Sequence, residues 1–481
     1  MQILTQKRDI FLIAILCAIS LAISFLTALI GPMVCIVVIG LLFSATLVII
    51  VISDFKIGFL ILLTYSFFLF HLGRLLSFPF PFGIFVEALY LLVFISVLVH
   101  KYRSTSIHNV SVFRNPIGYA IILFTAYAFL ELLNPNSSSI SARGTALRET
   151  LSILISFYVV MHVFDSLKMV RLFTKVWLFL AMLAALYGMY QEYFGFQPFE
   201  IRWAASTPGA FKPIWGRIRK WSFLSDVSAY GLFMAYSATI CFVLALAKVE
   251  NKKRLVLICC GIIMAVSMTY SGTRTAFAMV ALGLCFYVFM SLNDRRTLIF
   301  AAAAVIIFLG IIFGPFYGPT FSRMRSTFNT SEDASMGVRD GKRLRLQPYA
   351  RENPFGGGIN TAGNVGMRYE PSHPLSGPFD PDSGYLKMAL ERGWIGLLIN
   401  LTLYAVVLIY GLINFHKVKN NEIRFYYAAY MSGFFALSIA HFTQDAMDQK
   451  PVVVILISSC ALFVRLIEFD NIKTEKLTHE I

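Results

Sequence analysis

The sequence predicts an all-α, polytopic integral membrane protein: a helical bundle of about fourteen transmembrane helices (about twelve to fourteen) with one large outer loop that contains short helices. Composition gives the first reason, since 58% of the 481 residues are hydrophobic and only 14% are charged. An average soluble domain has roughly 25% charged residues. The second reason is that apolar stretches of about twenty residues recur along the chain, and a helix of that length crosses a hydrocarbon core while satisfying its own backbone hydrogen bonds.

Fourteen apolar stretches qualify as spans, with ends defined to roughly 2–4 residues. They are residues 10–30, 33–52, 59–76, 84–99, 116–133, 150–164, 172–190, 223–247, 255–270, 276–292, 298–314, 394–415, 425–443 and 452–467. The first stretch follows Lys7 and Arg8 and is too long for a signal-peptide core. We therefore interpret it as a retained helix.

The distribution of cations sets the orientation of these spans, because cytoplasmic loops of membrane proteins are enriched in Lys and Arg. With the N-terminus inside, the inner connections carry Lys101, Arg103, Lys168, Arg171, Lys248, Lys252, Lys253, Arg254, Arg295, Arg296, Lys417, Lys419 and Arg424. This agreement along the whole chain predicts that both termini are cytoplasmic.

Two outer loops depart from that rule. Residues 191–222 contain five cations, including Arg217 and Arg219, and residues 315–383 contain eight, of which seven are arginine, including Arg339. Guanidinium keeps its charge and binds phosphate with a bidentate fork, which favours an anionic ligand. Arg217 and Arg219 also precede a predicted helix entrance, where free N–H groups help to hold anions. The alternative is that these charges face water or lipid headgroups, or simply flank a membrane helix.

The segment 271–275 (SGTRT) separates two apolar stretches with too few residues for a loop. It predicts a tight outer turn in which the glycine allows the bend. Arg274 then lies at the membrane boundary, where a charge usually faces a cavity or a partner. We expect it to bind phosphate; the alternative is an arginine that extends to water and anchors the interface.

The long outer loop contains two further features. Residues 339–351 are predicted to form a polar helix on the membrane surface, ended by residues 353–358 (NPFGGG), whose glycines permit positive φ and close backbone approach. Residues 372–386 are the densest segment in potential proton carriers. Asp382 is predicted either to cap the following helix or to act as a general base. His373 is the alternative base, or else a structural histidine.

Several chemistries are disfavoured. All seven cysteines lie inside apolar stretches, which argues against disulfides and zinc sites, and no other metal-ligand spacing is present. The three glycines have no preceding strand and no following Lys-Ser/Thr, which argues against a nucleotide P-loop. No nucleic-acid signature accompanies the net charge of +15.

Together these motifs resemble the O-antigen ligase and polymerase family of bacterial envelope polysaccharide assembly. The SGTRT turn, Arg217 and Arg219 ahead of FLSDVSAYGLF, Arg339 followed by ENPFGGGIN, and the stretch DSGYLKMALERGWIG are similar to the family's motifs and occur in its order. The resemblance covers residues 172–415. Where ligases of the family have histidine this chain has Asp382, a departure that favours a polymerase or another glycan transferase of the family.

The resemblance implies the membrane fold of the C-type glycosyltransferases, with N-terminal helices in residues 1–171, a catalytic region in residues 172–415, and C-terminal helices with a cytoplasmic tail in residues 416–481. It implies transfer of an undecaprenyl-pyrophosphate-linked glycan at the periplasmic face of the bacterial inner membrane, without a cofactor, metal or nucleotide sugar. The acceptor would be a second lipid-linked glycan in a polymerase, and lipid A–core or a protein hydroxyl in a ligase.

In that reaction four arginines would hold the leaving pyrophosphate: Arg217, Arg219, Arg274 and Arg339. Asp382, or else His373, would take the proton from the acceptor hydroxyl, and direct displacement would invert the anomeric carbon. Two other classes stay open, a flippase for a lipid-linked glycan and an accessory subunit of an export complex. A flippase should carry cations along many helices, whereas these cations concentrate at one membrane face.

Overall fold

The computed structural model describes residues 24–25, 27–28, 31, 33–76, 82–103, 111–207, 213–214, 217–247, 250–315, 325, 334–379, 381 and 383–479. In sequence order the elements are α1 (Met33–Ser53), α2 (Phe55–Leu76), α3 (Gly83–Arg103), α4 (Pro116–Glu131), α5 (Ile140–Val163), α6 (Leu167–Tyr193), α7 (Pro198–Ser206), β1 (Pro213–Ile214), β2 (Arg217–Ile218), α8 (Val227–Ala245), α9 (Asn251–Tyr270), α10 (Arg274–Met290), α11 (Arg295–Phe313), α12 (Ala334–Glu352), α13 (Gly363–Tyr369), α14 (Gly384–Lys417), α15 (Asn421–Ala440) and α16 (Val452–His479). The two short strands pair in antiparallel fashion. The fold is therefore all-α, as the sequence predicts.

Every predicted span from residues 33–52 onwards coincides with one of these helices. The first predicted span, residues 10–30, lies almost wholly outside the described residues. Within the described part of the chain, eight helices are long and apolar enough to cross a membrane, and three shorter apolar helices accompany them. The protein is thus a multi-pass helical membrane protein, while the count of fourteen spans stays a prediction.

Helix α5 begins well before the predicted start of its span. Its first residue is Ile140, and the Ser139 hydroxyl accepts a hydrogen bond from the Ala142 N–H at 3.2 Å, which caps the helix. The first turns contain Arg148 and Glu149, so their hydropathy is too low to be counted as membrane helix. These polar turns are therefore helical rather than part of a loop, although Arg148 and Glu149 are exposed.

Helix α8 lies at the centre of the bundle, packed against α9, α10 and α15. Nearly all its side chains are buried, and small residues along it allow the close helix approach that membrane bundles use. On one side, Trp177 of α6 contacts Tyr236 and Tyr430, with ring centroids 5.4 and 5.9 Å away. This aromatic core fixes α8 relative to α6 and α15.

Arg74, in the last turn of α2, is buried and holds an outer loop in place. Its guanidinium donates to the carbonyl oxygens of Ser222 at 3.1 Å and Ser225 at 2.8 Å, and also to that of Leu224. The charged group stacks over the Trp203 ring at 4.4 Å. A buried cation is costly unless it finds such partners. The contacts therefore fix the segment that precedes α8.

The glycines of the long loop bring its backbone against α14. Gly356 and Gly358 have φ of +68° and +97°, which glycine adopts without strain. The Gly357 N–H donates to the Leu390 carbonyl and the Gly358 N–H donates to the Glu391 carbonyl, each at 2.8 Å. The predicted close backbone approach is confirmed, and the partner is a protein helix.

Glu370 anchors the same loop to the start of α5. Its carboxylate accepts hydrogen bonds from the Ser138 hydroxyl at 2.6 Å, the Ser138 N–H at 2.9 Å and the Ser137 hydroxyl at 3.1 Å. Burial raises the pKa of this carboxyl, but the hydrogen bonds from Ser138, Ser137 and Ser139 outweigh it and hold the pKa below its usual value. The carboxylate form is therefore the one that stabilises the fold.

We expect Glu370→Gln to lower the unfolding free energy at pH 7 by about 1–3 kcal/mol, because several hydrogen bonds to an ionised acceptor are lost. The folded-state pKa is depressed, so the contribution is complete above the ordinary carboxyl pKa of about 4.3 and disappears as the pH falls through the lower folded-state value. Thermal unfolding in detergent at pH 7 and at successively lower pH measures the difference between variant and wild type. Glu352→Gln, at an exposed position, serves as the control; an equal effect of both variants contradicts the assignment.

Candidate functional site

The SGTRT segment forms the tight turn that the sequence predicts. Helix α9 ends at Tyr270 and α10 begins at Arg274, and Gly272 between them has a φ of +59°. The Ser271 hydroxyl donates to the Met268 carbonyl at 2.7 Å and accepts from the Thr273 N–H at 3.1 Å. The turn is fully connected by its own hydrogen bonds.

Arg219 binds this turn directly. Its Nε donates to the Ser271 carbonyl oxygen at 2.6 Å and its Nη2 donates to the Thr273 hydroxyl at 2.9 Å. The neighbouring Lys220 N–H donates to the Tyr270 carbonyl at 3.0 Å. Two motifs that lie about fifty residues apart in the sequence are thus joined by a guanidinium fork, a geometry that lysine cannot reproduce.

Arg217 occupies a different environment, on β2. Its side chain is 54% exposed and its Nη1 lies 3.2 Å from the Glu192 carboxylate, which the Lys220 ammonium also approaches at 3.6 Å. An exposed pair of this kind is worth little to stability. Arg217 is therefore near the turn in sequence but is not part of its hydrogen-bonded support.

The predicted helix entrance after these arginines is occupied by another residue. Helix α8 begins at Val227, and the Asp226 carboxylate accepts from the N–H groups of Ser228 at 2.8 Å and Ala229 at 3.0 Å. Those N–H groups are the ones expected to share an anion with Arg217 and Arg219. The Asp226 carboxylate therefore occupies the position at which the anion was expected.

Arg274 is the half-buried first residue of α10. The turn that presents it lies directly on α8, since a Cβ added to Gly231 would stand 2.3 Å from the Ser271 hydroxyl oxygen and 3.0 Å from the Thr273 Cβ. A guanidinium at the start of a helix adds its charge to the positive end of the helix dipole. Arg274 is thus supported from α8 on one side and from Arg219 on the other.

Two sequence candidates fall outside the described side chains. Arg339 belongs to α12, but its side chain lies outside the described part of the structure. Asp382 lies outside the described residues altogether. The cap of α14 is Ser383, whose hydroxyl accepts from the Leu386 N–H at 3.3 Å, so the prediction that Asp382 caps this helix is corrected.

His373 is only 6% exposed and lies inside the long loop. Its Nδ1 accepts a hydrogen bond from the Leu375 N–H at 3.1 Å, and a Cβ added to Gly357 would lie 2.6 Å from its Cε1. Burial lowers the pKa of the imidazole below its usual value, although the Glu370 carboxylate acts in the opposite direction. A neutral, enclosed ring with an occupied Nδ1 lone pair suits support of the loop better than proton abstraction.

A cluster that the sequence analysis missed lies between α15 and α16. His441, Asp445 and Asp448 each offer one atom, and these atoms all lie within 4.8 Å of one another. The Lys387 ammonium of α14 lies 3.1 Å from the Asp445 carboxylate, and His441 Nδ1 lies 3.8 Å from the same group. We name these four residues the outer acid cluster. The spacing His-x3-Asp-x2-Asp after an apolar span is the signal that could have revealed it.

The outer acid cluster is connected to the motifs already described. The Thr443 hydroxyl hydrogen-bonds the Thr275 hydroxyl at 2.9 Å, one residue beyond Arg274. On the other side, the Gly384 N–H donates to the His441 carbonyl at 2.9 Å. The turn, the start of α14 and the loop 441–451 therefore meet at one place in the fold.

The two carboxyl groups of the cluster differ in their affinity for protons. Burial and the neighbouring Asp448 charge raise the pKa of Asp445. The surrounding protein partly desolvates Asp448, which acts to raise its pKa although the residue is exposed at the surface. The positive charges of Lys387 and Arg392 outweigh this effect and bring the pKa below its usual value. Asp448 is thus the ionised member and Asp445 the one that binds a proton more readily.

We expect Arg219→Lys to loosen the SGTRT turn, because lysine lacks the planar fork whose two nitrogens donate to the Ser271 carbonyl and the Thr273 hydroxyl. Amide hydrogen exchange of residues 271–276 should rise about tenfold or more in this variant, in keeping with the loss of roughly 1.5–3 kcal/mol of charge-assisted bonding. Arg217→Lys, two positions away, is the matched control and should leave this exchange unchanged. Equal exchange in the two variants would show that Arg219 does not support the turn.

Residues 259–401 match the family model described as O-Antigen ligase, and no curated protein matches the chain. The matched region includes the SGTRT turn, α12 and the first part of α14, whereas the loop 441–451 follows it in sequence. The resemblance stated from the sequence motifs is confirmed. The chain is thus a multi-pass helical membrane protein whose residues 259–401 are similar to the O-antigen ligase family.

Proposed function

We propose that this protein is a metal-independent, inverting membrane glycosyltransferase. It takes an undecaprenyl-pyrophosphate-linked glycan as donor and extends or transfers that glycan at the periplasmic face of the bacterial inner membrane, with both termini in the cytoplasm. Polymerisation, with a second lipid-linked glycan as acceptor, is the version we favour. Ligation to lipid A–core, or to a protein hydroxyl, is the alternative.

One observation supports this proposal above the others: the Arg219 fork, with 2.6 and 2.9 Å hydrogen bonds, holds the turn from which Arg274 begins α10. A departing pyrophosphate develops negative charge, and cations fixed in advance at that position lower the barrier without reorganising. Arg274 is the proposed ligand of the pyrophosphate. Arg219 keeps it in position, and Arg217 and Arg339 complete the proposed set from the neighbouring outer loops.

The reaction needs few chemical steps. The acceptor hydroxyl oxygen attacks the anomeric carbon, the bond from that carbon to the pyrophosphate oxygen breaks, and its electron pair leaves with the lipid pyrophosphate. A base takes the hydroxyl proton. Between the two bases put forward by the sequence, the enclosed ring of His373 favours Asp382. Apolar helices such as α9 and α10 offer the surface along which a polyprenyl tail would lie.

The acceptor decides between the versions of the proposal. Purified protein in liposomes, supplied with a lipid-linked repeat unit alone, should yield chains of increasing length if it is a polymerase. Transfer that occurs only after addition of lipid A–core identifies a ligase. Movement of the lipid-linked glycan across the bilayer without a new glycosidic bond would contradict the enzyme and support the flippase.

We expect Arg274→Ala to lower glycan transfer by at least about 100-fold, since removing one preorganised charge that stabilises a leaving group has effects of this size. Product formation is measured in liposomes with equal amounts of inserted protein. Arg295→Ala is the matched control, because Arg295 is the first residue of α11, as Arg274 is of α10, and is exposed.

Normal transfer by the Arg274→Ala variant would remove the turn from the site. An equal loss in both variants would point to a general effect of removing positive charge. Thermal unfolding of the two variants checks that neither has lost its fold.

A further inference from the structure

We propose that Asp448, supported by Asp445, Lys387 and His441, accepts the proton of the acceptor hydroxyl. This inference rests on the glycosyltransferase activity proposed above and assigns its base to a loop outside the region that the family model matches. Asp448 thus becomes a second candidate base beside Asp382, which the sequence predicts.

The exposure of Asp448 supports this assignment. Asp448 is exposed, whereas the side chain of His441 is fully buried and those of Lys387 and Asp445 are 27% and 23% exposed. A general base must reach its substrate through hydrogen-bond distance. Within the outer acid cluster, Asp448 is the exposed member.

The rigidity of the loop that carries Asp448 also supports it. His441 Nδ1 accepts from the Ala446 N–H at 3.2 Å and the Met447 N–H at 3.4 Å, which bends the loop so that Asp445 and Asp448 lie together. The imidazole also packs on the backbone of α14, because a Cβ on Gly384 would lie 1.9 Å from its Cε1. The loop is therefore held by a buried ring on both sides, as a preorganised base requires.

The position of loop 441–451 also supports this assignment. Loop 441–451 touches the turn through Thr443 and Thr275 at 2.9 Å. It also touches α12, whose Arg343 donates to the Phe442 carbonyl at 3.1 Å and lies over the Phe442 ring at 4.7 Å. Asp448 is thus on the loop that joins the proposed pyrophosphate site to the long outer loop, which is where donor and acceptor would have to meet.

Buried polar atoms of the cluster that lack hydrogen-bond partners support it further. Among the described residues, His441 Nε2 and Asp445 Oδ1 are buried and have no hydrogen-bond partner. Buried polar atoms without partners are costly and often mark a functional site. A cluster that exchanges a proton uses such atoms in one of its two states, since Asp445 needs a donor when ionised and is itself a donor when protonated.

A divalent cation would be the competing occupant of these three ligands. The Lys387 ammonium already neutralises Asp445 at 3.1 Å, and the Nδ1 lone pair of His441 is used by two backbone N–H groups. A metal ion would be left with His441 Nε2 and Asp445 Oδ1, beside an ammonium whose positive charge repels it. The cation of this cluster is therefore the lysine, and the chemistry we assign is proton transfer.

The step is balanced without another reactant. The O–H bond of the acceptor breaks and its proton goes to the Asp448 carboxylate, the hydroxyl oxygen forms the new bond to the anomeric carbon, and the pyrophosphate leaves with the electron pair of the old bond. The proton then passes to water, directly or by way of Asp445. The next cycle begins with Asp448 ionised.

The surroundings of Asp448 define a pH test. The titratable and charged groups that face it are Lys387, Arg392, Tyr404, His441, Asp445 and Glu149. Removing the positive charge of Lys387 disfavours the carboxylate and should move the acidic limb of the rate profile to higher pH. Asp445, the member that binds a proton more readily, lowers the pKa of Asp448 through a side-chain hydrogen bond. Removing that donor should therefore move the same limb to higher pH as well, by about one unit in each case.

We therefore expect Asp448→Asn to lower kcat by at least about 100-fold with little change in KM, and Asp448→Glu to restore part of the activity. Lys387→Met and Asp445→Ala should both shift the acidic limb to higher pH. Glu250→Gln, a 73% exposed carboxylate paired only with Lys253, is the control and should behave as wild type. All variants are assayed as full-length protein in liposomes, after thermal unfolding has shown that they fold.

Each other outcome overturns the inference. If wild type is active and Arg274→Ala is not, yet Asp448→Asn stays within about threefold of wild type while Asp382→Asn is inactive, the base is Asp382 and the proposed function stands. An acidic limb that stays at its wild-type pH in both variants shows a structural cluster. Loss of activity with EDTA and its recovery with Mg²⁺ or Mn²⁺ show a metal site. Absence of any new glycosidic bond in wild type rejects the proposed function itself.

Discussion

The end of this bundle that carries the SGTRT turn depends on one constraint: a charged or polar group without access to water must be satisfied by other parts of the protein. Arg74 meets it by donating to three carbonyl groups ahead of α8, and Arg219 meets it by binding the SGTRT turn. Each guanidinium joins segments distant in sequence. The same requirement that makes these charges tolerable near the membrane therefore also assembles the site.

Hydropathy was sufficient to find the helices but not to find their polar ends. The predicted spans from residues 33–52 onwards coincide with helices because lipid contact demands continuous apolar sequence. The first turns of α5 were missed as part of its helix, whereas a helix after Asp382 was predicted separately from the span 394–415. Arg148 pairs with Glu87 at 2.7 Å and Lys387 with Asp445 at 3.1 Å, and such charged residues lower the hydropathy of these turns below that of a membrane span.

The site could be predicted only where it is local. The tight turn at Gly272 and the positive φ of Gly356 and Gly358 follow from short sequence patterns, and these features agree with the structure. The Asp226 cap and the burial of His373 depend on tertiary packing. The outer acid cluster forms only where α14 contacts the loop after α15. The spacing His-x3-Asp-x2-Asp indicates three of its members, but it does not predict their contact with Lys387.

Gly393 divides α14 into two parts, and the long outer loop uses the gap. With a φ of +67° this residue interrupts the helix, and the freed carbonyl groups of Leu390 and Glu391 receive N–H groups from the NPFGGG segment. A Cβ at Gly393 would lie 1.8 Å from the Pro354 carbonyl oxygen. The NPFGGG segment and residues 384–393 therefore hold each other in position. In a chimera intended to alter sugar preference, the loop and residues 384–393 would have to be exchanged together.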